Sequence, residues 1–197
     1  WHHPNFLFYK IDITQPDKLE KVFKEHKVYA VIHLAAIVGD PACAKNPELA
    51  KQVNYMASKN LLNLALVNNI ERFIFTSTCS NYGKMADPNS YVNENSPLSP
   101  VSLYAELKVN FEKELLQQNN QTNSFCPTAL RFATVYGISP RMRFDLTVNE
   151  FAKELALGRD LEVFGEQFWR PYCHVSDISR AILITLEAKK EKVSHNV

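Results

Sequence analysis

Apolar positions along the chain follow two periods, and their alternation predicts the elements. Phe6-Leu-Phe-Tyr-Lys-Ile11 reads as a strand with Asp12 at its end. Leu19, Val22 and Phe23 fall at helical spacing between Thr14 and His26, with Pro16 early, and predict a helix. Val28-Tyr-Ala-Val-Ile-His-Leu34 is short and almost continuously apolar, as in a strand buried on both faces of a parallel sheet. Pro47 opens a helical stretch to about Val67, and Arg72-Phe-Ile-Phe-Thr-Ser77 is the next strand. A polar loop with Pro88, Pro97 and Pro100 follows, and Ser99-Pro100 has the form of a helix N-cap and first-turn proline. The helix beyond it carries Leu103, Leu107, Phe111 and Leu115 as one stripe. Thr128–Phe132 predicts a fourth strand, Leu146–Leu157 a helix ended by Gly158, Leu161–Phe164 a short strand, and Asp177 to about Ala188 the last helix. Val193–Val197 reads as the beginning of another strand.

Strand and helix therefore alternate, which predicts an α/β domain with a parallel sheet and right-handed crossovers. In such a sheet ligands bind at the carboxyl ends of the strands. Chemistry is expected at Asp12, at His33–Ala36, at Ser77–Gly83 and at Ala133–Gly137.

Composition narrows the class. The chain has 197 residues, 46% apolar and 22% charged, enough for one domain with a sizeable core. A net charge of +1 gives no basic field for nucleic acid and no acidic solvating tail. No apolar run reaches the ~20 residues of a membrane helix, and Trp1-His2-His3-Pro4 lacks a signal-peptide pattern. No membrane partner is expected. Cys43, Cys79, Cys126 and Cys173 are scattered without a C-x-x-C pair, which argues against a zinc ribbon and for buried free thiols in a reducing, cytoplasmic compartment. The five glycines form no cluster, so neither a Walker loop nor a G-x-G-x-x-G fingerprint is present.

Tyr104 and Lys108 lie four apart on the helix after the Thr76–Gly83 segment and share a face. A free phenol has a pKa near ~10, and bringing it to ~7 takes about 4 kcal/mol of differential stabilisation. A neighbouring ammonium supplies part of that, and a tuned tyrosine can exchange a proton with a sugar hydroxyl while hydride leaves the carbon. Tyr-x-x-x-Lys is a cheap pattern, and Tyr55 and Lys59 match it equally well. Context separates the two: the Tyr104 helix follows a strand end rich in hydroxyls, and the Tyr55 helix follows the apolar His33-Leu-Ala-Ala36.

Asp12-Ile-Thr14, His33-Leu-Ala-Ala36, Val53-Asn54, Thr76-Ser-Thr-x-x-x-Tyr-Gly83, Tyr104-x-x-x-Lys108, Leu130-Arg131, Val135-Tyr-Gly137 and Arg170-Pro-Tyr-Cys-His-Val175 occur in order. Together they resemble the extended short-chain dehydrogenase/reductase family, in its NAD-dependent sugar-nucleotide epimerase/dehydratase branch. The resemblance implies a Rossmann-like, doubly wound parallel sheet, incomplete at its N-terminus, over residues 1–140, and the start of a small C-terminal substrate subdomain over 141–197. It implies NAD as cofactor, with NADP left open, and a nucleotide sugar as substrate. Asp12 would take the adenine amino group with Ile13 beside the ring. Leu34, Ala35 and Ala36 would wall the dinucleotide, and Asn54, Thr76 and Phe132 would lie at the cofactor. Tyr104 would be the acid/base, Lys108 would hold the ribose and depress the phenol, and Thr78 would position the sugar oxygen. Thr134 and Arg170 would hold the substrate, the arginine on its pyrophosphate. No metal is implied, and a homodimer through the two long helices is.

Departures from the family sharpen the expectation. Dehydratases of this family carry Asp-Glu directly after the threonine, and the decarboxylases carry Glu at the second of these positions; here Cys79 and Ser80 stand there. A 4-epimerase is the preferred reading, with a keto-sugar reductase, a dehydratase or a non-catalytic NAD(H)-binding member as alternatives. Cys79 is a candidate second acid/base of a 3,5-epimerase/reductase, although the loop differs in length by a residue. Thr134 replaces the Asn that many relatives have before the Val-Tyr-Gly turn. The family's first strand, glycine-rich turn, first helix and second strand have no counterpart here, so the 197-residue chain by itself is expected to bind dinucleotide poorly and to be inactive.

Overall fold

A computed structural model describes residues 3–84, 91–118, 124–167 and 169–197. In chain order the elements are α1 (Pro16–Glu25), β1 (Ala30–His33), α2 (Asp40–Lys45), α3 (Pro47–Lys51), a π-helical turn (Gln52–Met56), α4 (Ala57–Val67), β2 (Arg72–Thr78), a 3₁₀ turn (Cys79–Tyr82), α5 (Leu103–Leu116), β3 (Cys126–Phe132), β4 (Thr134–Tyr136), α6 (Thr147–Ala156), β5 (Tyr172–His174), α7 (Val175–Glu187) and α8 (Lys190–Val193). Three strands form a parallel sheet in the order β1-β2-β3, with Ala30 opposite Arg72 and Thr78 opposite Phe132. β4 and β5 form a second parallel pair.

The central strand shows why helices cover both faces. Phe73 and Phe75 of β2 point into a cluster with Leu61, Leu62 and Ala65 of α4 and Phe111 and Leu115 of α5. Ile74, between them, faces the other way and packs on Ile178 and Ile182 of α7. Alternation along one strand thus feeds two layers. The Phe75 and Phe111 rings meet edge to face at 4.8 Å, a favoured aromatic geometry. Arg72, buried at the start of β2, donates to the carbonyls of Thr185 and Ala188 and closes the C-terminal end of α7.

Several expectations are corrected. Residues 6–11 form no strand, because apolar content by itself does not make a ladder; Tyr9 Oη lies 2.6 Å from His26 Nε2 at the end of α1. Residues 161–164 are likewise no strand, and the pairing there belongs to β4 and β5. α5 begins at Leu103 rather than at Pro100. Ser102 accepts the Ala105 N–H as its cap, while the Ser99 carbonyl lies against Gly83, where a Cβ would stand 1.6 Å from that oxygen. Gly83 also has φ +64°, so the turn needs glycine twice over. α7 begins two residues early, at Val175, because His174 Nδ1 accepts the Ser176 N–H. The 193–197 strand reduces to a single parallel bridge, Thr128 to Asn196. Pro88 lies outside the described residues. All four cysteines are free, and no helix among the described residues is long and apolar enough to cross a membrane.

Phe111 is the hub between α5 and β2. Phe111→Ala is expected to lower unfolding free energy by about 3–5 kcal/mol, read from the shift of the urea midpoint at unchanged slope.

Candidate active site

The carboxyl ends of the three sheet strands open on one edge, and three devices fix what stands there. After β1, Leu34 and Ala35 are exposed, Leu34 by 58%. Their loop is pinned by Asn54, whose Oδ1 accepts the Ile37 N–H at 2.7 Å and whose Nδ2 donates to the Ile37 carbonyl at 2.9 Å. The π-helical turn aims Asn54 at that loop, and nothing in the residue pattern announced such a turn. Asp12, farther up the chain, accepts the Thr14 N–H and hydroxyl on Oδ1, which holds its carboxyl below the ordinary range. Ile13 beside it is half-buried.

After β2, the Thr76 hydroxyl donates to the His33 carbonyl at 3.0 Å and ties the strand to β1. Thr78 accepts the Ser80 N–H at 3.2 Å and so caps the 3₁₀ turn. Phe132 stands opposite Thr78 in the ladder, at the end of β3. A buried cluster locks this corner to α5. The Glu112 carboxylate, 1% exposed, receives the Arg131 guanidinium, the Ser77 hydroxyl at 2.6 Å and the Asn81 amide at 3.1 Å. Arg131 also donates to Tyr82 Oη and to the Glu94 carbonyl.

That docking presents one face of α5 to the open edge. Lys108 Nζ donates to the Thr76 carbonyl at 2.7 Å and lies 5.8 Å from the Tyr104 ring centre, so ring and ammonium share a face as the spacing predicts. The electrostatics differ from expectation. Burial pushes the Tyr104 phenol up to about 12, with Cys43, Asp40 and Cys79 adding in the same direction. Arg143 is a cation that opposes the rise. Lys108 is itself pushed down to about 8 by burial, because its only charge-satisfying partner among the described residues is a neutral carbonyl. The second Tyr-x-x-x-Lys pair is engaged elsewhere. Tyr55 Oη donates to Glu114 at 2.9 Å and Lys59 Nζ pairs with the same carboxylate at 3.0 Å, a bridge between helices.

The β4–β5 ladder joins the segment of Thr134 to the one that follows Arg170. Thr134 pairs with Tyr172, and its N–H donates to the Pro171 carbonyl at 3.2 Å. Arg170 is exposed, and its charge reaches the Cys79 thiol, whose pKa burial raises. Two charged residues at this edge escaped the sequence reading. Arg143 forks onto Asp145, and its segment is held by Asn149, which accepts the Gly137 N–H and donates to the Arg143 carbonyl. Asp40 accepts the Ser102 hydroxyl at 2.6 Å. Neither side chain sits in a spacing pattern that singles it out; only folding brings residues so far apart in the chain to the phenol.

The profile of the NAD dependent epimerase/dehydratase family matches residues 2–197. The chain belongs to that family. Among curated relatives of this family member is the UDP-glucuronate 4-epimerase of Thermodesulfobacterium geofontis, 31% identical over 93% of the chain and 55% of the relative. Among solved structures, the UDP-glucose 4-epimerase of Thermotoga maritima with UDP-glucose is 28% identical with a TM-score of 0.81, covering 94% of this chain and 60% of that one. The UDP-glucuronic acid 4-epimerase of Bacillus cereus, in complex with UDP-glucuronic acid and NAD, has the same identity and TM-score over 98% of this chain and 59% of that one. The chain thus spans just over half the length of these relatives. The residues present fit an NAD-type dinucleotide: an exposed apolar segment at Leu34–Ala35 just after β1, an exposed carboxylate at Asp12, and a buried ammonium at Lys108 with donors to spare.

The depressed Lys108 pKa carries a stability consequence. Unfolded, the amine stays charged to about pH 10.5; folded, only to about 8. The folded state is therefore penalised as pH falls from 10.5 to 8, and fully below 8. At ~1.4 kcal/mol per unit, less roughly 1 kcal/mol for the lost carbonyl bond, Lys108→Met is expected to stabilise the fold by about 2 kcal/mol at pH 7. Thermal melts should show that gain vanish between pH 8 and 10.5.

Proposed function

We propose that the full-length protein is an NAD-dependent 4-epimerase of a nucleotide sugar, with a UDP-hexose as the first substrate class to try. One observation carries this reading: Tyr104 and Lys108 stand on one face of α5, beside the end of β2, where Thr78 is followed by Cys79 and Ser80 and not by acids. NAD, when bound, supplies a hydride acceptor that can return what it takes. Tyr104 takes the proton of the sugar C4 hydroxyl and returns it after the 4-keto sugar has presented its other face. Thr78 donates its hydroxyl to the same oxygen, and Lys108 holds the ribose hydroxyls. Arg143 favours the phenolate against burial, as a cation near a titrating phenol must. Thr134 and Arg170 take the nucleotide portion, with the guanidinium suited to a pyrophosphate. The UDP-sugar relatives support the substrate class.

A dehydratase needs an acid after the threonine to expel water, and Cys79 with its raised pKa is a poor substitute. A keto-sugar reductase would use the same tyrosine but consume NAD(P)H. Residues 1–140 as the cofactor region and 141–197 as the start of the substrate region belong to the same proposal, as does a reducing, cytoplasmic setting, in keeping with four free thiols. So does a homodimer through the 47–67 helical stretch and α5, which the exposure of Leu49, Met56 and Val67 supports.

An NMR time course of the full-length protein with UDP-, GDP- and dTDP-sugars is expected to show a C4 epimer forming without net change at 340 nm. Stoichiometric loss of NADH would instead identify a reductase. Tyr104→Phe is expected to lower kcat by about 10²–10⁴-fold with the fold intact.

A further inference from the structure

Asp40 is the acidic group at the phenol end of the site. It opens α2 directly after Gly39, whose φ of +93° turns the chain out of the loop that follows β1. Its Oδ1 accepts the Ser102 hydroxyl at 2.6 Å, and Ser102 is the N-cap of α5, two residues before Tyr104. The carboxylate is therefore tethered to the first turn of the helix that carries the phenol. Asp40 is exposed, and that bond uses one of its oxygens; no hydrogen bond to Oδ2 occurs among the described residues. The groups whose charge bears on Tyr104 come from the elements packed around it: Asp40 and Cys43 from α2, Cys79 from the turn after β2, and Arg143 from the segment before α6. Asp40 is the one carboxylate in that set.

We propose that Asp40 is a specificity-determining residue: its Oδ2 accepts a hydrogen bond from a hydroxyl or ammonium group of the sugar beside the reacting carbon, and its charge turns away a hexuronate. This rests on the nucleotide-sugar reading above. Family membership leaves both classes open, since the relatives include UDP-glucose and UDP-glucuronate enzymes. An ionised aspartate is acceptor-only, so it bonds a sugar O–H or N–H and has nothing to offer a second carboxylate. A like charge held at close range is also the usual way a site rejects a near-isosteric competitor. Its position at the start of α2 is set by the turn at Gly39, and its side chain is tethered by the Ser102 hydroxyl, so swinging away to admit an anion would cost that hydrogen bond.

The test compares UDP-glucose with UDP-glucuronate in the full-length protein, as kcat/KM and as binding constants. The wild type is expected to favour UDP-glucose by at least tenfold. Asp40→Asn keeps an acceptor for Ser102 and removes the charge, and is expected to narrow that ratio about fivefold or more at an unchanged melting temperature. A wild type that prefers the uronate overturns the inference and needs no variant to do so. A wild-type preference for UDP-glucose that Asp40→Asn leaves untouched also overturns it, while the epimerase reading stands. A wild type that neither binds nor converts any nucleotide sugar removes that reading, and the inference with it.

Discussion

The buried ion pair between Glu112 and Arg131 is the constraint on which the rest of the site depends. Glu112 projects from α5 and Arg131 from β3, and the carboxylate also gathers Ser77 and Asn81 from the end of β2. Two charges out of water are tolerable when every lone pair finds a donor, and breaking such a pair from one side costs far more than the pair contributes. The cluster therefore sets helix α5 at one rotation and one height on the sheet. Lys108 is one turn nearer the N-terminus of α5, and Tyr104 two turns. Their shared face reaches the strand ends because Glu112 is anchored behind them.

This docking has an energetic cost concentrated on Lys108. The ammonium is 3% exposed, with the Phe75 ring centre 4.5 Å away and one carbonyl to bond. A hydrocarbon side chain would suit the same space better in the folded chain. A group held in an unfavourable charge state at a strand end is the type of arrangement that functional sites retain and structural sites avoid. Tyr104 shows the same tension, its phenol driven upward by burial and by acidic neighbours, with Arg143 opposing. Burial comes first for the phenol, and groups from α2, the turn after β2 and the segment before α6 act on it as well.

The aromatic cluster of Phe73, Phe75, Phe111 and His33 supports both statements. His33 is buried among these rings with its Nε2 2.8 Å from the Ser58 hydroxyl, and burial holds its pKa down to about 4. It packs as a neutral ring that bridges the end of β1 to α4. With Asn54 pinning the Ile37 backbone one turn earlier, the loop that leaves β1 is fixed at two points. The exposed Leu34–Ala35 segment is therefore a defined surface and not a loose connection.

The residue pattern determined the parallel α/β class, the three sheet strands, the α5 stripe and the common face of Tyr104 and Lys108. Each of these follows from local periodicity, and a buried parallel strand such as Phe73-Ile-Phe75 announces itself by continuous apolar residues. The same periodicity misled at residues 6–11 and 161–164, where apolar content was present and the ladder was not, because strand formation is decided by a partner elsewhere in the chain. It also placed the start of α5 at Ser99-Pro100, where a close approach to Gly83 stops the helix from forming until Ser102. The hydroxyl-rich strand end before the Tyr104 helix already separated the two Tyr-x-x-x-Lys pairs; that Glu114 ties up Tyr55 and Lys59, only the packing of the helices decided. Asp40 and Arg143 were invisible for a related reason. Charge acts through space, and residues 64 positions before and 39 positions after the phenol become its neighbours only when the chain has closed on itself.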